Sequence, residues 1–252
     1  MPELQRVLAS LAVIYAALLT RLGEHGPALR WWRTASNAAD DSGDLDLRVV
    51  VRGMAAGCGL YGQRHPSTIL LLLLDEIRCI GVGSRSLWAV DIKGTRAKAL
   101  SLLGRHDEAR AALRALRSVA PTDTPVCPIP TLWLPDQVDF AESWSLAAGG
   151  DEQRAGEARE RVLATTYDYQ YIACVQLHGA LCTVAKKGIA EGVGHAAEIL
   201  DAMPPHYRNQ MITETAKHVL AAVPKTDREL PAVRDYREVL ATTAPVPHAI
   251  TA

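Results

Sequence analysis

The chain is short of aromatic residues, which make up 5% of it and include a single phenylalanine. Runs of β-branched residues are scarce too. Sheets draw on both classes, so their shortage points away from a strand-built core and toward alanine- and leucine-rich helices. Basic excess is also missing, with 27 Lys and Arg against 28 Asp and Glu and a formal net charge of −1. A domain that itself grips nucleic acid carries a basic stripe and a high pI, so direct nucleic-acid binding is not expected. The five cysteines, Cys58, Cys79, Cys127, Cys174 and Cys182, contain no CxxC pair. They read as small buried hydrophobes in a reducing compartment, with no metal site and no cofactor.

Long hydrophobic runs are lacking as well. The apolar stretch Val7–Leu19 has 13 residues and Ile69–Leu74 has six, below the roughly 20 that span a bilayer. Val7–Leu19 resembles a signal-peptide core, but no small-x-small cleavage site follows it. It also runs into the first copy of the repeat described next, whose first helix it supplies. The expectation is a soluble, cytoplasmic protein with no membrane partner. Catalytic signatures are missing in the same way. There is no G-x-S-x-G elbow, no phosphate-cradling G-x-x-x-x-G-K-S/T and no H-E-x-x-H. Gly192-Val193-Gly194 has no strand before it, so it does not read as a dinucleotide loop. These gaps predict a protein that is not an enzyme.

What the chain does have is a recurring glycine after an apolar helical run. The clearest copies are Leu22-Gly23-Glu24-His25-Gly26-Pro27-Ala28 and Leu103-Gly104-Arg105-His106-Asp107-Glu108-Ala109. Weaker copies are Tyr61-Gly62, Gly149-Gly150 with Ala155, and Lys187-Gly188. Repetition of this kind builds helix–turn–helix units that stack into an array. The turn glycines at 23, 62, 104, 150 and 188 are 39, 42, 46 and 38 residues apart. A regular tetratricopeptide repeat has a period of about 34, so the units are longer and degenerate. His25 and His106 share one slot after the glycine, which marks them as turn residues rather than ligands.

The predicted fold is all-α: a tetratricopeptide-like (TPR-like) right-handed α-solenoid of about six antiparallel helix pairs, curved around a groove. The repeat domain covers 1–242, and 243–252 forms a disordered tail. The first unit pairs a helix near Glu3–Leu22 with one near Pro27–Ala39. The second runs over about Leu45–Ile80, with Pro66 opening its second helix and Gly53, Ala56, Gly57 and Gly59 allowing a neighbour close. The third covers about Ser84–Val119. Five prolines within fifteen residues then make 120–134 an extended connection. The fourth and fifth units follow over about Leu134–Thr165 and Tyr167–Met203. A helix near His206–Val223 and a capping helix near Pro231–Leu240 complete the array.

Two stretches resemble a known family. Residues 19–35 (Leu-Thr-Arg-Leu-Gly-Glu-His-Gly-Pro-Ala-Leu-Arg-Trp-Trp-Arg-Thr-Ala) are similar to the opening repeat of actinobacterial Xre-type helix-turn-helix transcriptional regulators with a C-terminal TPR-like domain. Tyr169-Gln170-Tyr171-Ile172-Ala173, Ala196-Ala197-Glu198-Ile199-Leu200-Asp201, Pro204-Pro205-His206-Tyr207-Arg208 and Leu230-Pro231-Ala232-Val233-Arg234 resemble its final repeats. The family's DNA-binding domain has no counterpart in this sequence. The resemblance therefore implies the sensing or dimerising half of a regulator, without DNA binding by these residues.

In such an array the first helix of each pair lines the concave face. In this register that face offers Arg21, Arg52, Asp91, Lys98, Trp144, His178 and Lys186. Arg and Lys would hold carboxylates and Trp144 would anchor a peptide, small effector or protein partner. The alternative for the set is solvated charge around one core tryptophan. Of the adjacent Trp31 and Trp32, one belongs in the core, and Trp31 is the candidate for a partner surface or a homodimer contact. Tyr169 and Tyr171 would stack on a ligand or pack in the core with polar tips. The other functional class is a protein–protein or dimerisation scaffold with no small ligand.

Overall fold

The computed structural model describes residues 1–80, 89–118, 129 and 136–243. It is all-helical, with twelve α-helices and no strand among the described residues. These are α1 (Pro2–Arg21), α2 (His25–Ser42), α3 (Leu45–Gly59), α4 (Pro66–Ile80), α5 (Ala89–Leu102) and α6 (His106–Arg117). After the connection come α7 (Gln137–Ala148), α8 (Glu152–Thr165), α9 (Tyr169–Ala185), α10 (Ile189–Asp201), α11 (Gln210–Ala221) and α12 (Pro231–Thr243). The expected proline-rich connection and tail lie outside the described residues, apart from Ile129, which is buried among side chains of α1, α2 and α3, and the helix end at Thr243.

Local chemistry sets the helix starts. Asp44, Asp168 and Asn209 each accept a hydrogen bond from a backbone N–H of the first turn, at 3.1 Å from Leu47, 2.8 Å from Gln170 and 3.0 Å from Met211. Such caps satisfy donors that the helix itself leaves open. The helix expected near His206–Val223 starts later, because Asn209 caps α11. Ahead of it, Pro205–Tyr207 makes a single 3₁₀ turn.

The recurring glycine closes the helix that precedes it. Gly23, Gly62, Gly104 and Gly150 are left-handed, with φ of 77°, 85°, 71° and 72°. At three of these turns the next N–H reaches back to a carbonyl five residues earlier: Glu24 to Leu19, Arg105 to Leu100 and Asp151 to Leu146, at 2.9–3.1 Å. This is the αL closure that glycine adopts without strain. The fifth copy departs from expectation. Gly188 caps the start of α10, and the left-handed residue is Lys187, with φ of 74°. A side chain in that conformation costs roughly 1–2 kcal/mol. Lys187 is exposed, so Lys187→Gly is expected to raise the unfolding free energy by about 1 kcal/mol in urea titration.

Each odd-numbered helix packs on the even-numbered helix that follows it. The odd-numbered helices also pack in succession, α1 on α3, α3 on α5, α5 on α7, α7 on α9 and α9 on α11. Small residues set how close they come. A Cβ on Gly57 would lie 3.2 Å from Thr95 Oγ1 of α5, and one on Gly94 would lie 3.3 Å from Ala141 of α7.

The succession then returns on itself, because α1 also contacts α11. His25, at the start of α2, has its Nε2 3.5 Å from Gln210 Nε2 on α11. Gly62 abuts Gln210 and Glu214 of the same helix. The six odd-numbered helices therefore surround a common interior, more closed than the groove expected from sequence. Its centre is filled from several sides. Tyr61 from the end of α3 meets the Trp144 ring edge-on at 5.6 Å, and Phe140, His178 and His218 pack around the same indole. On the outside, Glu142 is almost fully buried and binds two arginines, Arg117 of α6 (2.7 Å from Nε) and Arg161 of α8 (3.1 Å from Nη2). That network joins the third and fourth helix pairs.

Candidate functional site

A cavity of about 310 Å³ opens inside the ring of odd-numbered helices. Its walls come from the C-terminal parts of α1 and α3, the length of α5, and the first turns of α7, α9 and α11. Gly53 and Gly57 line it, so the small residues that admit α5 also leave this space open. The glycine-rich face of α3 thus serves close packing and the cavity at once.

The polar groups in the wall have few protein partners. Arg21 and Lys98 line the cavity, and neither has a hydrogen-bonded or ion-paired side-chain partner among the described residues. Lys98 is 8% exposed. Its ammonium lies 5.7 Å from the ring centres of both Phe140 and Trp144, a cation–π arrangement that only partly replaces lost hydration. Burial lowers the Lys98 pKa, against the pull of Asp91 two turns earlier on the same helix. Burial likewise raises the Asp91 carboxyl, against the pull of Lys98. Thr20, Thr95, Gln137 and Asp168 add hydrogen-bonding groups, and Tyr61, Phe140, Tyr171 and Met211 add apolar wall. The Tyr171 hydroxyl accepts a hydrogen bond from Gln137 Nε2 at 2.7 Å.

Titration in the cavity does not produce a reactive group. Burial pushes the Cys58 thiol up to about 11, despite Arg21 and Lys98 nearby, so it is not a thiolate at neutral pH. Behind the wall, Ser143 Oγ lies 3.0 Å from His178 Nδ1, a spacing that nucleophile–base pairs use. Ser143 is fully buried and His178 is 1% exposed, so no substrate reaches them. Burial, helped by Lys98 and His218, holds His178 down at about 3, which makes it a feeble base. No group of three or more His, Cys, Asp or Glu suited to a metal ion occurs among the described residues.

The structure divides the residues expected in the groove. Arg21, Asp91 and Lys98 come together on one cavity. Trp144 and His178 do not face it: both are buried in the core beneath, with rings 5.5 Å apart. Trp144 is therefore a packing residue rather than an exposed anchor, because Tyr61 and Phe140 cover its faces. Arg52 pairs with Asp40 at 2.7 Å and lines a separate recess with Trp32 and Arg33. Lys186 pairs with Glu152 on the exterior. Trp32 is buried, whereas Trp31 is exposed and meets Tyr15 of α1 edge-on at 5.1 Å. Tyr169 is exposed and packs on Tyr207, whereas Tyr171 lines the cavity.

Sequence reasoning missed Cys58, Thr95, Gln137, Phe140 and Met211 as wall residues. One signal was there to be read. Asp91, Thr95 and Lys98 recur at steps of four and three, one polar stripe on a helix whose other residues are mostly buried. Buried polar stripes are costly, so they mark a solvated or ligand-filled space. No protein-family model, curated protein or solved structure matches the chain.

Proposed function

We propose that this protein is a non-enzymatic sensor that binds a small anionic effector, of the aryl or alkyl monocarboxylate class, in the cavity inside its helical ring. The observation that carries this reading is a pair of cations, Arg21 and Lys98, with no hydrogen-bonded or ion-paired side chain among the described residues, facing a space of mixed wall in which Asp91 and Asp168 stand beside Tyr61, Phe140, Tyr171 and Met211. The buried Lys98 ammonium gains from a carboxylate that also accepts from the half-buried Arg21, whose guanidinium suits two-point contact. The tyrosines, Phe140 and Met211 suit an apolar tail. A space of about 310 Å³ admits a small molecule or one peptide side chain rather than an extended peptide.

The architecture we infer is a TPR-like right-handed solenoid of six helix pairs whose first and last pairs meet. Regulatory action follows from that closure. A ligand held by α1, α3, α5, α7, α9 and α11 together favours the closed ring over any looser form, by its difference in affinity for the two. The link to actinobacterial Xre-type regulators rests on the resemblance of 19–35 and 169–234. It supports transcriptional regulation as the setting and a cytoplasmic location. A sealed Ser143–His178 pair and a protonated Cys58 favour binding over catalysis.

The test is thermal unfolding with benzoate, phenylacetate, indole-3-acetate and hexanoate, followed by calorimetric titration. At least one is expected to raise the melting temperature by about 2 °C or more at a hundredfold excess over its dissociation constant. Arg21→Ala is expected to weaken that binding about tenfold or more, the size of one charge-assisted contact. A wild-type protein indifferent to all four carboxylates would sink the proposal.

A further inference from the structure

Helix α1 is apolar on two faces. One face, with Ala9, Ala12, Val13 and Ala16, packs against α2. The other carries Leu4, Leu8, Leu11, Tyr15, Leu18 and Leu22, which are 42–68% exposed. These residues follow one another at steps of four, three, four, three and four. Alternating steps of four and three over about two and a half heptads are the spacing of a seam that meets another helix. A helix packed on one side only needs one apolar stripe, and apart from the Tyr15–Trp31 ring contact this second stripe has no partner among the described residues. The same double stripe explains why α1 has a mean hydropathy of 1.4 with only a third of its window buried.

We infer that this face is the dimerisation seam of the protein, occupied by α1 of a second copy running antiparallel across a two-fold axis level with Val13. Two features favour a second copy. The seam is symmetric about that level, so that Leu4 would face Leu22, Leu8 would face Leu18 and Leu11 would face Tyr15. A two-fold interface requires that self-complementarity. No charged residue interrupts it, so two copies meet without like-charge clash. With Val7, Ile14 and Trp31 alongside, the exposed apolar surface amounts to roughly 800 Å² per copy, which is one side of a standard interface. An apolar patch of that size is uncommon on a monomer. The antiparallel arrangement also opposes the two helix macrodipoles. The Tyr15–Trp31 pair would widen the contact onto α2.

Sedimentation velocity from about 1 to 200 μM tests the inference, with a dimer dissociation constant expected at or below about 10 μM. Leu11→Glu buries a carboxylate on each side of the axis and is expected to raise that constant at least a hundredfold, with far-UV dichroism unchanged. Leu11→Cys mixed with Tyr15→Cys is expected to give a disulfide-linked dimer under mild oxidation. Leu4→Cys alone should not, but should cross-link when mixed with Leu22→Cys. Self-linking of Leu4→Cys would overturn the antiparallel arrangement. A wild-type monomer throughout the range, or one that binds lipid vesicles through this face, would overturn the dimer. Lys98→Met should leave dimerisation unchanged, which separates this result from the fate of the cavity.

Discussion

Lowering the pH from 7 to 5 is expected to destabilise this fold by about 4 kcal/mol, well before most carboxylates titrate. His178 and His218 are the cause. Burial holds their pKa values at about 3 and about 4, against an ordinary value near 6.5. For a buried neutral histidine the sign is fixed. Below pH 6.5 the unfolded chain takes up protons that the native state refuses, so stability falls as pH falls. Each unit of separation is worth about 1.4 kcal/mol, so at pH 5 each histidine contributes a loss of about 2 kcal/mol. The loss grows until the pH passes the folded values and the native histidines protonate too. The surroundings leave no route to an early charge. His178 faces Ser143, Phe140 and Trp144, with Lys98, His218 and Arg159 as nearby charges or future charges. Urea titrations at half-unit pH steps measure the slope, about 2.7 kcal/mol per unit if both histidines act fully. His178→Gln keeps a partner for Ser143 and should remove half of it. A flat profile between pH 7 and 5 would show that neither imidazole is sealed as the structure indicates.

Replacing Lys98 by methionine should make the protein more stable and blind to its ligand at the same time. The ammonium is buried with only ring faces and a nearby carboxylate for company. Exchanging such a charge for an apolar chain of similar length is expected to add about 1–3 kcal/mol to the unfolding free energy. If Lys98 is the group that receives a carboxylate, the same change should weaken carboxylate binding at least a hundredfold, the range seen when a buried charge contact is lost. A residue kept only for the fold would not show that opposition, so the paired readout separates a binding role from a structural one. The histidine effect should respond too. Lys98 is one of the charges that depress His178, so in Lys98→Met the acid loss should level off at a higher pH, with the stretch between pH 7 and 5 little changed. Stability that falls on removing Lys98 would mean that Asp91 depends on it more than the ring interior resents it.

The helix pairs were legible because they are local. A left-handed turn needs a residue without a Cβ, so glycine recurs at 23, 62, 104 and 150, and the apolar runs between these positions do the rest. The exception at Lys187 was not legible, because glycine at 188 sits one residue past the strained position and satisfies the same visual pattern. The late start of α11 was missed because one asparagine cap outweighed two prolines that read as a helix opening. The site was half legible. Arg21, Asp91 and Lys98 could be placed on inner helices by register, and that placement follows from the 3.6-residue period alone.

The other half depended on how far the array curves. Trp144 reads as a groove anchor only if the groove is open. Tyr61 reaches it from two pairs away and seals it, a contact separated by 83 residues of chain that no period encodes. Likewise Val7–Leu19 is one apolar run in sequence. Only packing against α2 splits it into a buried face and a bare face with a heptad period of its own. By itself, then, the sequence determined the helices, their turns and an inner polar stripe, since these depend on neighbours within a few residues. The closure of α1 onto α11, the cavity that this closure encloses and the exposed seam of α1 were decided by tertiary structure, because each depends on the summed crossing geometry of six helix pairs.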